Sequence, residues 1–195
     1  MRVVWAIAYT IPIILIMLFL FGTRKNKTHL AKTLRILSLL ATFAIGANIM
    51  MLLVDGRFHT MLANSIYHTV LTWMLYMMLS FTREYTGFNR YTPVHKIIAL
   101  WIMGLDSVNI LLNCFFEHSF TCYELVYTED SGVFFVVDGL PFHMVHMAVS
   151  YSIVLLIMVL LIRKIIQAPT IYKAKYIIVF CFIGLALCGN SFYLI

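Results

Sequence analysis

Long apolar runs separated by short polar breaks constrain the fold of this chain more than any other feature. Of its 195 residues, 63% are hydrophobic and 11% are charged, whereas soluble domains average about 25% charged residues. A helix of about 20 apolar residues crosses the roughly 30 Å hydrocarbon core of a bilayer. The segments that meet this requirement are roughly residues 3–22, 34–54, 59–82, 97–116, 141–162 and 176–195. The sequence therefore predicts an all-α polytopic membrane protein with six transmembrane helices.

Basic residues are concentrated on one side of the predicted bundle. The breaks after the first, third and fifth spans, with their flanks, hold most of the Lys and Arg residues: Arg24, Lys25, Lys27, Lys32, Arg35, Arg83, Arg90, Lys96, Arg163, Lys164, Lys173 and Lys175. The opposite side holds only Arg2 and Arg57. Because Lys and Arg favour cytoplasmic loops, the N-terminus is predicted to lie outside. The basic stretch TRKNK after the first span favours a retained helix over a signal peptide.

The longest break, residues 117–140, lies between the fourth and fifth spans. Its segments YELVY and VFFVV are rich in β-branched and aromatic residues, and the turn-forming cluster TEDSG separates them. This pattern predicts a short extracellular β-hairpin between helices 4 and 5, with an irregular loop on the headgroups as the alternative. Cys114 and Cys122 lie near this loop and could form a disulfide if it faces an oxidising space.

Ionisable and amide side chains inside the predicted spans form the main candidate site. Such groups are costly in a bilayer, so each needs a partner or a function. The set comprises Asn48, Asn64, His68, Asp106, Asn109, Asn113, His143, His146 and Asn190. In the predicted orientation Asp106 lies near the middle of the membrane and all the others fall in its outer half.

Helical spacing places most of these residues in stripes on three spans. The stripes are Asp106, Asn109 and Asn113 on the fourth span, Asn64 and His68 on the third, and His143 and His146 on the fifth. We interpret these seven residues as a ligand-binding site open to the outside, with Asp106 at its floor. Hydrogen bonding between helices is the structural alternative. A metal site is a further alternative, but no motif of the HExxH type is present, and we expect neither a metal nor another cofactor.

Catalytic motifs are missing from the sequence, which contains no P-loop, no GxSxG and no Rossmann fingerprint. We therefore expect no enzymatic activity from this chain, and its composition gives no reason to expect a nucleic-acid partner. A small stand-alone permease or channel-like protein remains an alternative function. A membrane enzyme that uses the His and Asp residues is another, although no nucleophile or metal can be assigned to it.

Two stretches resemble a known family. One is FTREYTGFNR, directly after the third span; the other is GVFFVVDGLPFHMVHMAVSYSIVLLIMVLLIRKIIQAPTIYKAKYIIVF, from the predicted hairpin to the last span. Together they resemble the seven-helix N-terminal sensor region found ahead of bacterial histidine kinases and diguanylate cyclases. The resemblance covers nearly the whole chain.

This resemblance implies a receptor region in the bacterial inner membrane. It would bind an unknown small-molecule or peptide ligand on its outer side and signal, as a homodimer, to a cytoplasmic output domain. The chain departs from the family pattern because it stops after six spans and carries no kinase or GGDEF-type segment. Two interpretations follow: a short six-helix protein, or a fragment truncated before the seventh helix whose full-length protein could be a histidine kinase or a diguanylate cyclase.

Overall fold

Six helices and one pair of strands follow each other along the chain in the computed structural model, which describes residues 2–54, 56–88, 93–126 and 133–191. The elements are α1 (Arg2–Thr23), α2 (His29–Leu53), α3 (Arg57–Thr86), α4 (Pro93–Phe116), β1 (Phe120–Val126), β2 (Val133–Gly139), α5 (Pro141–Gln167) and α6 (Thr170–Ser191). Each helix overlaps one of the six predicted segments, and α2, α4 and α6 begin several residues earlier than predicted. The predicted β-hairpin is confirmed: β1 and β2 are antiparallel, with Cys122 opposite Val137. The cluster TEDSG lies outside the described residues.

Local sequence signals explain several helix ends. Thr28 caps α2, and its hydroxyl accepts a hydrogen bond from the Ala31 N–H at 3.3 Å. Gly87 ends α3 in the left-handed conformation with φ of 76°, which glycine adopts without steric cost. Pro141 occupies the first turn of α5, where its missing N–H has no intrahelical partner to lose.

Four helical segments are long and apolar enough to cross a membrane: Val3–Thr23, His29–Leu53, Lys96–Phe116 and Pro141–Gln167. Helices α3 and α6 also form, with 30 and 22 residues, but within the described residues they are not part of this set. A membrane protein with several long apolar helices is thus confirmed. The count of six spans and the external N-terminus stay predictions.

The least apolar helix, α3, lies at the centre of the fold, in contact with α2, α4, α5 and both strands. Most of its buried side chains are polar: Thr60, Asn64, Ser65, Thr72, Thr82, Arg83 and Thr86, beside Met61, Ala63 and Leu79. In contrast, α1 contacts mainly α2 and exposes its apolar side chains. Helices that face lipid must be apolar, whereas a helix shielded by its neighbours can carry polar groups that bond between helices.

An apolar core joins α3, α5 and α6 between the buried polar residues Thr72 and Thr82 of α3. Its buried members are Leu79, Val154, Ile157, Leu161 and Ile183. Ile157 and Leu161 have no exposed surface, and partly buried side chains of all three helices pack around them. Close packing of this kind, rather than release of water, holds helices together in lipid.

We predict that Ile157→Ala destabilises the bundle by on the order of 2 kcal/mol, because a buried cavity replaces dispersion contacts. Leu155→Ala on the same helix is the control, since Leu155 is 66% exposed and its loss should change stability by about 0.5 kcal/mol or less. Reversible unfolding in mixed micelles would measure both. Equal effects of the two substitutions would contradict the proposed α3–α5–α6 core.

Candidate functional site

Asp106 is the point at which α3, α4 and α5 are joined by side-chain hydrogen bonds. Its Oδ2 atom lies 2.9 Å from Nδ1 of His146 on α5 and 3.1 Å from the Thr72 hydroxyl on α3. The side chains of His146 and Asp106 are 1% and 3% exposed. A separation of 2.9 Å is a hydrogen-bond distance, so a proton lies between the imidazole nitrogen and the carboxyl oxygen. Because one oxygen is bonded by side chains from two other helices, this contact fixes the relative position of α3, α4 and α5.

Three imidazole rings meet beside Asp106. The ring centroid of His68 on α3 lies 5.2 Å from that of His143 and 5.1 Å from that of His146, and the rings of His143 and His146 are 5.7 Å apart. Phe120 of β1 covers the group, 6.0 Å from His68. The structure therefore brings His68, His143 and His146 together beside Asp106, and an outward-facing ligand site at this place stays a prediction. We call Thr72, His68, Asp106, His143 and His146 the His–Asp cluster.

Several buried polar atoms of the His–Asp cluster have no hydrogen-bond partner among the described residues. They are Oδ1 of Asp106 and Nδ1 of both His68 and His143. A buried polar atom without a partner costs about 1–3 kcal/mol, more when it is charged. The carboxylate can accept a bond at Oδ1, and each neutral imidazole nitrogen can donate or accept. The cluster thus holds three buried polar atoms with unused hydrogen-bonding capacity among the described residues.

The hairpin touches the cluster at Gly139, the last residue of β2. A Cβ atom added there would lie 3.2 Å from Cδ2 of His143, which is closer than carbon atoms normally pack. A side chain at this position would require the His143 ring to shift by a few tenths of an ångström, because the strand passes directly against the imidazole. The hairpin and the His–Asp cluster are consequently in direct contact.

Asn109 and Asn113, predicted as part of the site, bond to the connection between α4 and β1. The Asn113 side chain donates to the Phe120 carbonyl at 2.8 Å and accepts from the Ser119 and Phe120 N–H groups at 2.6 and 3.1 Å. Asn109 accepts from Nε2 of His118 at 2.9 Å and donates to the Ser119 hydroxyl at 3.4 Å. These bonds position the hairpin over the cluster, and direct contact of either residue with a ligand stays a prediction.

The remaining members of the predicted polar set divide as follows. Asn64 is buried on α3, and its Nδ2 has no partner among the described residues. Asn48 is partly buried on α2, and the side chain of Asn190 lies outside the described residues. Thr72 was not predicted, although Asn64, His68 and Thr72 are spaced by four residues and share one face of α3. That stripe is the signal that could have found it.

Metal binding receives no support from this part of the chain. Among the described residues, no group of three or more His, Cys, Asp or Glu side chains has an arrangement that could hold a metal ion. Cys114 and Cys122 are buried free thiols, and the Cys114 thiol donates to the Ser65 hydroxyl at 3.3 Å. Burial raises the pKa of the Cys122 thiol to about 11, despite the opposing effect of the nearby Arg57 guanidinium.

We predict that Cys122 is unreactive towards a maleimide at neutral pH in the folded protein. With its pKa at about 11, only a minute fraction is thiolate below pH 8, and the thiolate is the reactive form. Mass spectrometry of the labelled protein would check this, with detergent-unfolded protein as the positive control. Rapid modification of Cys122 in the folded state would show that β1 is not packed as described.

Long apolar helices, a polar central helix and a buried set of ionisable groups are together typical of a helical membrane region. Residues 4–195 match the family model described as the N-terminal 7TM region of histidine kinase. The chain belongs to this family. No similar protein was found among the curated proteins, and none among the solved structures.

Membership confirms the resemblance of the two sequence stretches to histidine kinase sensor regions. The family is a membrane sensor region that is not itself catalytic, in agreement with the expectation that this chain carries no enzymatic activity. The association with diguanylate cyclases stays a prediction, as do the ligand and the output domain.

Proposed function

We propose that this chain senses a small polar ligand at the His–Asp cluster and passes the signal to a histidine kinase output domain. The observation that carries the proposal is the buried contact of Asp106 with His146 and Thr72, which joins three helices and leaves Oδ1 without a partner among the described residues. A ligand that donates an N–H or O–H to this oxygen would satisfy it. Small ammonium compounds and alcohols have the required chemistry.

Ligand binding would act by shifting a balance between two helix arrangements. A ligand can shift such a balance only by its difference in affinity for the two states. A donor placed on Oδ1 draws electron density from the carboxylate and competes with its bonds to His146 and Thr72. Since those bonds hold α3, α4 and α5 together, their weakening would let α5 move relative to α3.

The proposed topology has six spans with the N-terminus outside, which opens the cluster towards the external face of the bacterial inner membrane. Twelve basic residues flank the proposed cytoplasmic turns, as the distribution of Lys and Arg in membrane proteins favours. The polar face of α3 packs against neighbouring helices, which supports α3 as a span despite its lower hydropathy. The proposed signalling unit is a homodimer, as the resemblance implies.

The ligand site can be tested with Asp106→Asn. His146 and Thr72 both approach one oxygen with donors, so the amide oxygen of Asn would occupy that position and its NH2 would replace Oδ1. The NH2 group of Asn would then offer a hydrogen-bond donor at the position where the ligand, itself a donor, needs an acceptor. In nanodiscs we expect at least one member of a panel of small ammonium compounds and alcohols to raise the thermal midpoint of the wild type. The affinity of that compound for the Asp106→Asn variant should be roughly tenfold to a hundredfold lower than for the wild type.

Ser107→Ala is the matched control. Ser107 is buried on the same turn of α4, but its hydroxyl donates to the Met103 carbonyl of its own helix at 2.8 Å. This variant should keep the wild-type affinity. The ligand class is wrong if no compound of the panel stabilises the wild type, and the site is wrong if Asp106→Asn binds as well as Ser107→Ala.

The orientation can be tested with cysteines introduced at Lys27 or Lys173, one in each of two proposed cytoplasmic turns. A maleimide that cannot cross the bilayer should label neither variant in spheroplasts with an intact inner membrane, and should label both after the membrane is permeabilised. Labelling of the unsubstituted chain gives the background signal from its own cysteines. Labelling of either variant in intact spheroplasts would reverse the proposed topology and place the His–Asp cluster near the cytoplasm.

A further inference from the structure

A second cluster of side chains lies at the other end of α3, where this helix ends beside the junction of α5 and α6. Its cations are Arg163 and Lys164 of α5 and Lys175 of α6, and its rings are Tyr85, Phe88, Tyr172 and Tyr176. We call these residues the basic–aromatic cluster. The proposed ligand site does not use any of them.

Lys175 is surrounded by aromatic rings. Its Nζ atom lies 4.9 Å from the ring centroid of Tyr176, 5.2 Å from that of Tyr172 and 5.6 Å from that of Tyr85. Cation–π attraction acts within about 6 Å of a ring centroid. Three rings around one ammonium group therefore restrict its position far more than is usual for a lysine at a helix surface.

Arg163 and Lys164 of α5 also lie against an aromatic ring, that of Phe88. The Arg163 guanidinium carbon lies 4.9 Å from the ring centroid of Phe88, and Nζ of Lys164 lies 5.8 Å from the same centroid. The Lys164 ammonium group also lies 5.9 Å from the Tyr176 centroid. It reaches the turn that ends α3, because a Cβ atom added at Gly87 would lie 3.9 Å from it. The partial negative charge at a helix C-terminus favours a cation there.

The rings themselves form a fixed support. Tyr176 is 5% exposed, and its ring meets that of Tyr85 at 5.2 Å in an edge-to-face arrangement. Tyr85 also stacks on Phe81, with centroids 5.6 Å apart and planes 12° apart. The three cations are thus collected on an aromatic platform built from α3, its C-terminal turn and α6.

Acidic residues do not neutralise this cluster within the described part of the chain. The nearby carboxylate of Glu84 pairs instead with His29 of α2, at 2.7 Å. Rings attract cations but carry no net charge, so the positive charges gathered against Phe88 and Tyr176 are not neutralised by these rings. An anion that touches several of these cations would relieve their repulsion and complete the site.

The surroundings of the cluster indicate where this anion comes from. Large apolar side chains are exposed on both helices next to it, including Ile162 and Ile166 of α5 and Ile177 of α6, with exposed fractions of 44%, 72% and 43%. In a membrane these faces contact acyl chains, so the adjoining cations lie at the level of the headgroups. Basic pockets between helices at this level bind the headgroups of anionic lipids.

We propose that the basic–aromatic cluster binds the phosphate headgroup of an anionic membrane lipid. The phosphate oxygens accept hydrogen bonds from Arg163, Lys164 and Lys175, and the acyl chains lie along the apolar faces of α5 and α6. The bound lipid joins the end of α3 to the α5–α6 junction. This assignment requires only that the helices cross a bilayer, and not which end faces the cytoplasm.

The test compares the chain in nanodiscs of phosphatidylcholine alone with the chain in nanodiscs that also contain phosphatidylglycerol. We expect phosphatidylglycerol to raise the thermal midpoint of the wild type. Native mass spectrometry should show at least one phosphatidylglycerol retained on the released protein. The variant with Arg163→Gln, Lys164→Gln and Lys175→Gln together should lose the retained lipid and the added stability, with affinity lower by roughly tenfold to a hundredfold.

Lys25→Gln, Lys27→Gln and Lys32→Gln together form the matched control. These three exposed residues lie at the junction of α1 and α2, so the control removes the same charge from another basic turn. It should retain the lipid with at most a few-fold loss of affinity. Equal losses in both triple variants would indicate diffuse attraction to the membrane surface and overturn the proposal.

Two further arms separate the remaining outcomes. Inorganic phosphate added to the phosphatidylcholine nanodiscs should not reproduce the rise in thermal midpoint; if it does, the ligand is a free anion and the lipid assignment is wrong. If the triple variant at the cluster does not fold, Lys175→Gln and Lys175→Arg replace it. Lys175→Gln should weaken lipid retention and Lys175→Arg should preserve it, and identical retention by the two would contradict the proposal.

Discussion

The rest of this structure depends on one constraint: a buried polar group in a membrane must find its partner inside the protein. Helix α3 carries more such groups than any other described helix, and its neighbours are arranged around them. His146 of α5 and Thr72 of α3 both bond to Oδ2 of Asp106 on α4, so one carboxyl oxygen defines the relation of three helices. The same constraint explains the order of the fold, in which apolar α1 lies at the edge and polar α3 at the centre.

Helical spacing and predicted depth assigned His68, Asp106, His143 and His146 to one candidate site. The four side chains lie together in the structure because polar groups on neighbouring helices have few other partners in lipid. The same reasoning could not separate Asn113 from Asp106, although the two have different roles. Both lie on one stripe of α4, but the chain turns back after α4 and offers its own backbone to Asn113. That turn depends on the packing of the hairpin, which spacing along a helix does not describe. Thr72 was missed because a threonine hydroxyl often bonds the carbonyl four residues earlier, as Thr72 also does with His68 at 3.1 Å.

Hydropathy predicted the helices, whereas which of them cross the membrane stays a prediction. The measure reports how apolar a segment is, and a helix needs to be apolar only where lipid touches it. The long helix α3 is less apolar than the other described helices because it carries many polar side chains. Its neighbours cover these side chains. Charge patterning had a related limit. It identified Arg163, Lys164 and Lys175 as markers of orientation, but whether these cations face water or the rings of Tyr85 and Tyr176 is decided by how α3, α5 and α6 pack.

Helices α3 and α5 each contribute to both clusters, and this shared scaffold gives a physical basis for communication between them. A helix of 30 residues is about 45 Å long, so α3 reaches from the hairpin to the α5–α6 junction without a break. Between the clusters, Leu79, Ile157 and Leu161 pack tightly, and such a core resists gradual deformation. The Thr72 hydroxyl has a single proton and two acceptors at 3.1 Å, the His68 carbonyl and Asp106 Oδ2. It can bond within α3 or across to α4, but not fully to both. A choice between discrete bonds, carried by stiff helices, is the kind of two-state element that transmission through a membrane requires.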